Sequence, residues 1–101
     1  MKIDLPILHQ SPYFLDPFFT VVTAEIVDVA PHLSDVATFA VHASDTLSAI
    51  GYVVSNVETG QRVTDRNSKR GAIKVARDFL ATKTHADIEY GYAIAPDKAR
   101  L

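Results

Sequence analysis

The chain has 101 residues, of which 48% are hydrophobic and 22% are charged, and it contains no cysteine. This length and composition are typical of one folded domain and argue against disorder, because disordered chains lack the apolar side chains that offset ordering entropy. The lack of cysteine excludes disulfides, thiolate catalysis and zinc–thiolate sites. No apolar run approaches the roughly 20 residues that span a bilayer, and Asp4, Pro6 and His9 interrupt any signal-peptide core. We therefore expect a cytoplasmic protein without a membrane partner.

Charge is distributed unevenly along the chain, although the net charge is only −2. Residues 1–61 carry seven acidic side chains and one basic one, whereas residues 62–83 carry seven basic and two acidic ones. Residues 84–101 carry three acidic and two basic side chains. Such asymmetry is typical of a partner-binding surface. It is equally typical of two oppositely charged regions that face each other within one chain or across a dimer.

The first 17 residues predict an extended N-terminal arm, and residues 18–101 predict a single α+β domain. Three prolines in the arm, at positions 6, 12 and 17, fix φ and favour extended conformations at the preceding residues. The arm also carries Tyr13 and Phe14, and aromatic side chains are enriched in protein interfaces. These two rings are therefore either candidate partner-binding residues or a cover for the core of the domain.

Two segments before residue 50 predict strands. Residues 18–29 are rich in β-branched side chains and end shortly before Pro31. Residues 35–43 fit two patterns. A strand would place Ala37, Phe39 and Val41 on one face, whereas a helix would continue at helical spacing to residue 50 with Ser34 as its N-cap. We favour the strand, because residues 38–41 are β-prone and would pair naturally with the preceding strand.

Residues 50–83 predict a β-hairpin followed by an amphipathic helix. The β-rich run 52–57 leads into a turn in which Gly60 can adopt a positive φ, and residues 61–64 return as the second strand. The helix is expected from about Ser68, a candidate N-cap, to Thr82. Apolar residues at helical spacing form its predicted core-facing stripe: Ala72, Ile73, Ala76, Phe79 and Leu80.

Residues 84–95 again fit two patterns. The sequence Thr-His-Ala-Asp at 84–87 has the form of a capping box, which would begin a second short helix. In the competing pattern, Ile88, Tyr90, Tyr92 and Ile94 alternate with the residues between them, as in a strand. We favour the strand slightly, because the period of two is well obeyed and tyrosine is a strand former.

No residue pattern in the chain predicts a catalytic, cofactor-binding or metal-binding site. His32 and His42 each begin a His-x-Ser-Asp sequence, but near neighbours on one segment seldom reach triad geometry, and Ser-Asp is typical of turns and caps. His85 and Asp87 match half of a two-histidine, one-carboxylate iron site, yet no histidine follows them. The four glycines are isolated, which excludes the glycine loops that bind phosphate. We therefore expect a protein that is not an enzyme.

The basic segment 62–83 is the strongest indication of a binding surface. Seven basic side chains on a strand, a turn and a helix face can contact phosphates. No DNA- or RNA-binding motif accompanies them, and a solvated helix face explains them as well. Together with the two aromatic residues of the arm, the candidate partner-binding residues are Arg62, Arg66, Lys69, Arg70, Lys74 and Arg77.

These patterns predict an α+β fold in which an antiparallel sheet of three to four strands carries one main amphipathic helix on one face. The hairpin with its Thr-Gly turn and the basic, alanine-rich helix resemble segments of small phage and plasmid proteins, over about a third of the chain. We expect a non-enzymatic protein that acts by protein–protein contact, for example an inhibitor or regulator of a nucleic-acid-handling complex, of anti-CRISPR type. The alternatives are a nucleic-acid-binding module that uses the basic helix face and a self-associating structural protein, such as a homodimer.

Overall fold

The computed structural model describes residues 1–9, 18–44 and 51–95, and within these ranges five antiparallel strands lie side by side in chain order. The strands are β1 (Lys2–His9), β2 (Phe18–Val27), β3 (Phe39–Ala43), β4 (Tyr52–Asn56) and β5 (Arg62–Arg66). A short 3-10 helix (Pro31–Leu33) precedes β3, and two helices follow the sheet, α1 (Lys69–Leu80) and α2 (His85–Ile94).

The predicted α+β fold with an antiparallel sheet is confirmed, but the predicted number of elements was too small. The described residues form five strands where three to four were expected, and two helices where one was expected. Within the predicted arm, Lys2–His9 pairs along its whole length with β2 as an edge strand. Pro6 is compatible with this position because an edge strand has backbone donors that the sheet does not use. The remainder of the arm, including Tyr13 and Phe14, lies outside the described residues.

The hairpin is confirmed, and the strand interpretation of residues 35–43 is confirmed for Phe39–Ala43 alone. Tyr52 on β4 pairs with Arg66 on β5, and Gly60 after the turn has a φ of +74°. The residues before Phe39 form the 3-10 helix and a turn, because Pro31 suits the first turn of a helix. Residues 45–50, through which the helical alternative would have run, lie outside the described residues.

The sheet curls, so that β1 contacts the turn between β4 and β5. The backbone amide of Leu8 donates a 2.8 Å hydrogen bond to the carbonyl of Gly60. Since two strands separate β1 from β4 in the sheet, this contact requires strong curvature. The inner face of the curl holds one apolar cluster: Leu5, Ile7, Ala24 and Ala40.

Helix α1 packs on the other face of the sheet, as predicted, but with a different stripe. The Ser68 hydroxyl accepts a 3.0 Å hydrogen bond from the Gly71 amide and begins the helix. Ala72, Ala76 and Leu80 are buried, whereas Phe79 is 47% exposed, so its predicted core position was wrong. The physical reason is that small alanine side chains allow close packing on the sheet, which centres the contact on the i, i+4, i+8 row and leaves Phe79 at its margin.

The slight preference for a strand over residues 85–95 was wrong, because this segment is helix α2. The Thr84 hydroxyl accepts from the Asp87 amide at 3.3 Å, and the Asp87 carboxylate accepts from the Thr84 amide at 2.8 Å. This reciprocal capping box satisfies two backbone donors at the helix start, and it lowers the pKa of Asp87. The period of two was misleading, since α2 is apolar on several sides. Within the described ranges, no helix is long and apolar enough to cross a membrane.

Candidate interaction surfaces

Two of the predicted partner-binding residues, Arg62 and Arg66, lie on the edge strand β5 and share one acidic neighbour. Arg62 Nη1 lies 3.2 Å from Asp65 Oδ2, and Arg66 Nη1 lies 3.7 Å from Asp65 Oδ1. All three side chains are more than half exposed. Exposed ion pairs of this kind contribute little to stability, so both arginines remain available to a partner.

The other four predicted basic residues share the outer face of α1. They surround the partly buried Ile73 and line a concavity of 590 Å³ with it. We call this surface the basic concavity. Its apolar floor and cationic rim suit an acidic partner that also carries an apolar side chain. Its lining residues are Lys69, Arg70, Ile73, Lys74 and Arg77.

Several cations of the basic concavity already contact oxygen atoms of the same chain. Lys69 Nζ lies 2.5 Å from the carboxylate of Glu25 on β2, and this ion pair lowers the pKa of Glu25. Lys74 pairs with Asp78 at 3.0 Å. Arg70 has no hydrogen-bond or ion-pair partner within the described ranges. Part of the charge asymmetry is therefore neutralised inside the molecule, as one interpretation of the sequence expected, and Arg70 is the most available cation.

A second open surface, which we call the helix groove, lies between β5 and the two helices. It has a volume of 360 Å³, and its walls include Phe79, Ile88 and Gly91. Arg62 and Lys83 also line it, and Lys83 Nζ lies 4.7 Å from the centroid of the Phe79 ring. The groove therefore combines two exposed aromatic side chains, Phe79 and Tyr90, with two cations and the Asp87 carboxylate.

Gly91 is an unusual residue for the middle of α2, because a helical glycine costs about 1 kcal/mol relative to alanine. Its φ is not positive, and a Cβ added to it would meet nothing within 4 Å. Neither the backbone conformation nor the packing of the described residues therefore requires glycine there. A glycine at the wall of the groove does leave room for a partner backbone to approach closely.

No sequence pattern directly indicates this groove. Phe79 was predicted to lie in the core, and Ile88 and Gly91 were placed on a strand. The available signal was the capping box at 84–87, which predicts a helix whose apolar residues are too numerous for one buried face. Exposed large apolar side chains of the two helices are Phe79, Tyr90 and Ile94.

His42 and His32 form hydrogen bonds with other described residues. His42 is buried with Ser55, at 4% and 1% exposure, and its Nε2 lies 2.9 Å from the Ser55 hydroxyl oxygen. Its Nδ1 lies 2.9 Å from the Ala43 carbonyl, to which it donates. The neighbouring Asp45 lies outside the described residues. His32 Nε2 donates to the carbonyl of Lys83 at 3.0 Å, which fixes the link between the helices.

His85 and Asp87, which match half of an iron site in the sequence, contact different residues in the structure. His85 Nε2 lies 2.8 Å from the carboxylate of Asp35, which lowers the pKa of Asp35. Asp87 instead caps α2 through Thr84. In the part of the chain that the structure describes, no group of three or more histidine, cysteine, aspartate or glutamate side chains is arranged to hold a metal ion.

Compared with protein-family models, with curated proteins and with solved structures, the chain matches none of them.

Proposed function

We propose that this is a small non-enzymatic binding protein that acts by contact with another protein, and that the helix groove is its binding surface. The observation that carries the proposal is the exposure of Phe79 beside the open, apolar wall of the groove. Aromatic side chains with a cation beside them are frequent anchors of protein interfaces. The groove is also bordered by β5, an edge strand.

The chemistry of the groove indicates the partner segment that fits it. An apolar side chain of the partner would contact Phe79 and Ile88, and an acidic group would meet Arg62 or Lys83. The open space above Gly91 would accommodate the partner backbone. One form of this function is the inhibition or regulation of a nucleic-acid-handling complex by a phage or plasmid protein. The cysteine-free composition supports a cytoplasmic location.

A pull-down from nuclease-treated extract of the native host, read by mass spectrometry, tests the proposal. We expect a partner that the wild-type chain retains and that two variants lose. Phe79→Ser removes the exposed ring. Gly91→Leu places a side chain in the groove, where an added Cβ meets no other atom of the protein within 4 Å. Val21→Ser is the matched control, because Val21 is an exposed apolar residue of β2 at 66% exposure, outside the groove. Retention of the partner by both groove variants would refute this assignment.

A second candidate function is nucleic-acid binding through the basic concavity. The supporting observation is that Lys69, Arg70, Lys74 and Arg77 share one open surface on α1. Binding through phosphate contacts weakens steeply with salt, so a gel shift should appear at about 50 mM salt, vanish near 200 mM and be lost in Arg70→Glu. The absence of a shift at the lower salt concentration would remove this candidate.

A further inference from the structure

Helix α2 carries apolar side chains on two opposite sides. Ile88 packs against the core cluster and the Tyr92 hydroxyl donates to the Val36 carbonyl, so these residues face the protein. The opposite side carries residues at positions 86, 90, 93 and 94, which follow helical spacing and are all exposed. We call them the outer stripe: Ala86, Tyr90, Ala93 and Ile94.

The outer stripe is apolar, but its side chains are exposed to solvent. Helix α2 is thus apolar on two sides, and yet it has no buried residue. Tyr90 is 67% exposed and Ile94 is 61% exposed. At positions 90 and 94, a polar side chain would have a lower free energy in contact with water than an apolar one. The stripe therefore indicates a contact with another molecule.

The charges around the outer stripe are opposite to those around the basic concavity. With 3.6 residues per turn, Asp87 and Glu89 flank the stripe on its two sides, and α2 contains no lysine or arginine. The basic concavity has an apolar floor, Ile73, and a rim of four cations. An acidic helix with an apolar ridge and a basic surface with an apolar floor are thus present in the same chain.

We propose that the outer stripe of α2 docks into the basic concavity of a second copy of this chain. Within one copy the contact is prevented, because Tyr92 and His85 hold α2 against the segment before β3. Each copy offers one stripe and one concavity, so two copies related by a twofold axis satisfy both surfaces and leave no open end. Tyr90 and Asp87 also line the helix groove, whereas Ile94 and the basic concavity lie outside it, so the contact does not rest on the function proposed for the groove.

The small size of helix α2 also requires two reciprocal contacts for a stable dimer. A ten-residue helix is about 15 Å long, and its outer side alone falls short of the roughly 800 Å² per partner that a stable interface buries. Paired docking doubles the buried area. The ion pairs that must open, such as Lys74–Asp78, are exposed and cost little to break, whereas Arg70 has no described partner to lose.

Sedimentation equilibrium over a concentration series measures this association directly. The wild-type chain should form a dimer at about 50 mM salt and dissociate towards the monomer near 1 M, where the screening length is about 3 Å. Ile94→Ser and Arg70→Glu should each weaken the dimer about tenfold or more. Val21→Ser is the matched control and should associate like the wild type. Circular dichroism of each variant shows that the fold is retained.

A charge exchange distinguishes this contact from other modes of association. Arg70→Glu and Glu89→Lys should each weaken the dimer by placing like charges together, and the double variant should recover it. Phe79→Ser and Gly91→Leu should leave it unchanged, which separates it from the helix groove. A wild-type monomer at all concentrations would overturn the proposal, as would a dimer insensitive to Ile94→Ser and Arg70→Glu or a double variant without recovery.

Discussion

The hydroxyl of Tyr92 on α2 donates a 2.6 Å hydrogen bond to the backbone carbonyl of Val36, in the segment that leads into β3. The same oxygen accepts a 3.2 Å hydrogen bond from the Asn56 side chain at the end of β4 and lies 3.3 Å from a carboxylate oxygen of Glu58. Burial is the main cause that raises the pKa of Tyr92. One phenol thus fixes a helix that otherwise makes few buried contacts, and it thereby positions both the helix groove and the outer stripe.

Tyr92→Phe should destabilise the protein by about 1–3 kcal/mol, because the partly buried polar groups of its partners lose a hydrogen bond. The measurement is the free energy of unfolding by urea. Tyr90→Phe is the matched control on the same helix, since its side chain is 67% exposed and exposed substitutions stay within about 0.5 kcal/mol. Equal losses in the two variants would show that the Tyr92 contacts do not hold α2.

Two glycine substitutions should change stability in opposite directions. Gly60→Ala places a Cβ 2.4 Å from the carbonyl oxygen of Pro6, at a φ of +74°, and should cost at least about 1 kcal/mol through strain. Gly91→Ala meets no atom within 4 Å and should stabilise α2 by about 0.5–1 kcal/mol. Thermal unfolding of both variants checks the pair, and a Gly60→Ala variant at least as stable as the wild type would contradict the close contact between β1 and the turn.

The position of α1 on the sheet predicts unequal effects at two adjacent apolar residues. Leu80→Ala removes a side chain that is 2% exposed and should cost about 2–5 kcal/mol. Phe79→Ala removes a larger side chain that is 47% exposed, and it should cost less than Leu80→Ala. Urea unfolding measures both values. The sequence pattern alone predicted a core role for both residues, so a larger loss at Phe79 would favour that pattern over the structure.

Stability should decline in acid because folding lowers the pKa of the carboxyl groups of Glu25, Asp35 and Asp87. The respective main causes are the hydrogen bonds to Lys69, to His85 and to the Thr84 amide. A folded pKa below the unfolded one stabilises the protein above the unfolded pKa, and this contribution is lost as pH falls through the folded pKa. The melting temperature should therefore drop below about pH 4, where carboxyl groups titrate.

Thermal unfolding of wild type and of the double variant Glu25→Gln/Asp35→Asn at several pH values tests that dependence. The variant should melt at a lower temperature than the wild type at pH 7, and the difference should narrow in acid, since two of the responsible groups no longer titrate. Parallel curves for the two proteins would contradict the proposed cause. The double variant retains Asp87, so the capping box of α2 stays intact.

Sequence patterns alone are sufficient to predict the elements whose signals are local. The hairpin has a turn glycine between two β-rich runs, and α1 has Ser68 as an N-cap before an apolar stripe, so short-range patterns suffice for both. The candidate cations on α1 were also correctly placed on one surface, because residues 69, 70, 74 and 77 share a helix face at any register of packing.

Features that depend on which surfaces pack together follow only from the tertiary contacts. Residues 2–9 form a strand because β2 offers a complete edge for pairing, which the proline-based interpretation of residues 1–17 as an extended arm did not predict. Phe79 is exposed because alanines bring α1 close to the sheet, and this distance is a property of the packed pair, not of the helix. The alternating residues of 85–95 form a helix because the capping box satisfies its first amides and the Tyr92 hydroxyl finds the Val36 carbonyl, 56 residues away in the chain. Long-range partners of this kind leave no periodic signal in the sequence.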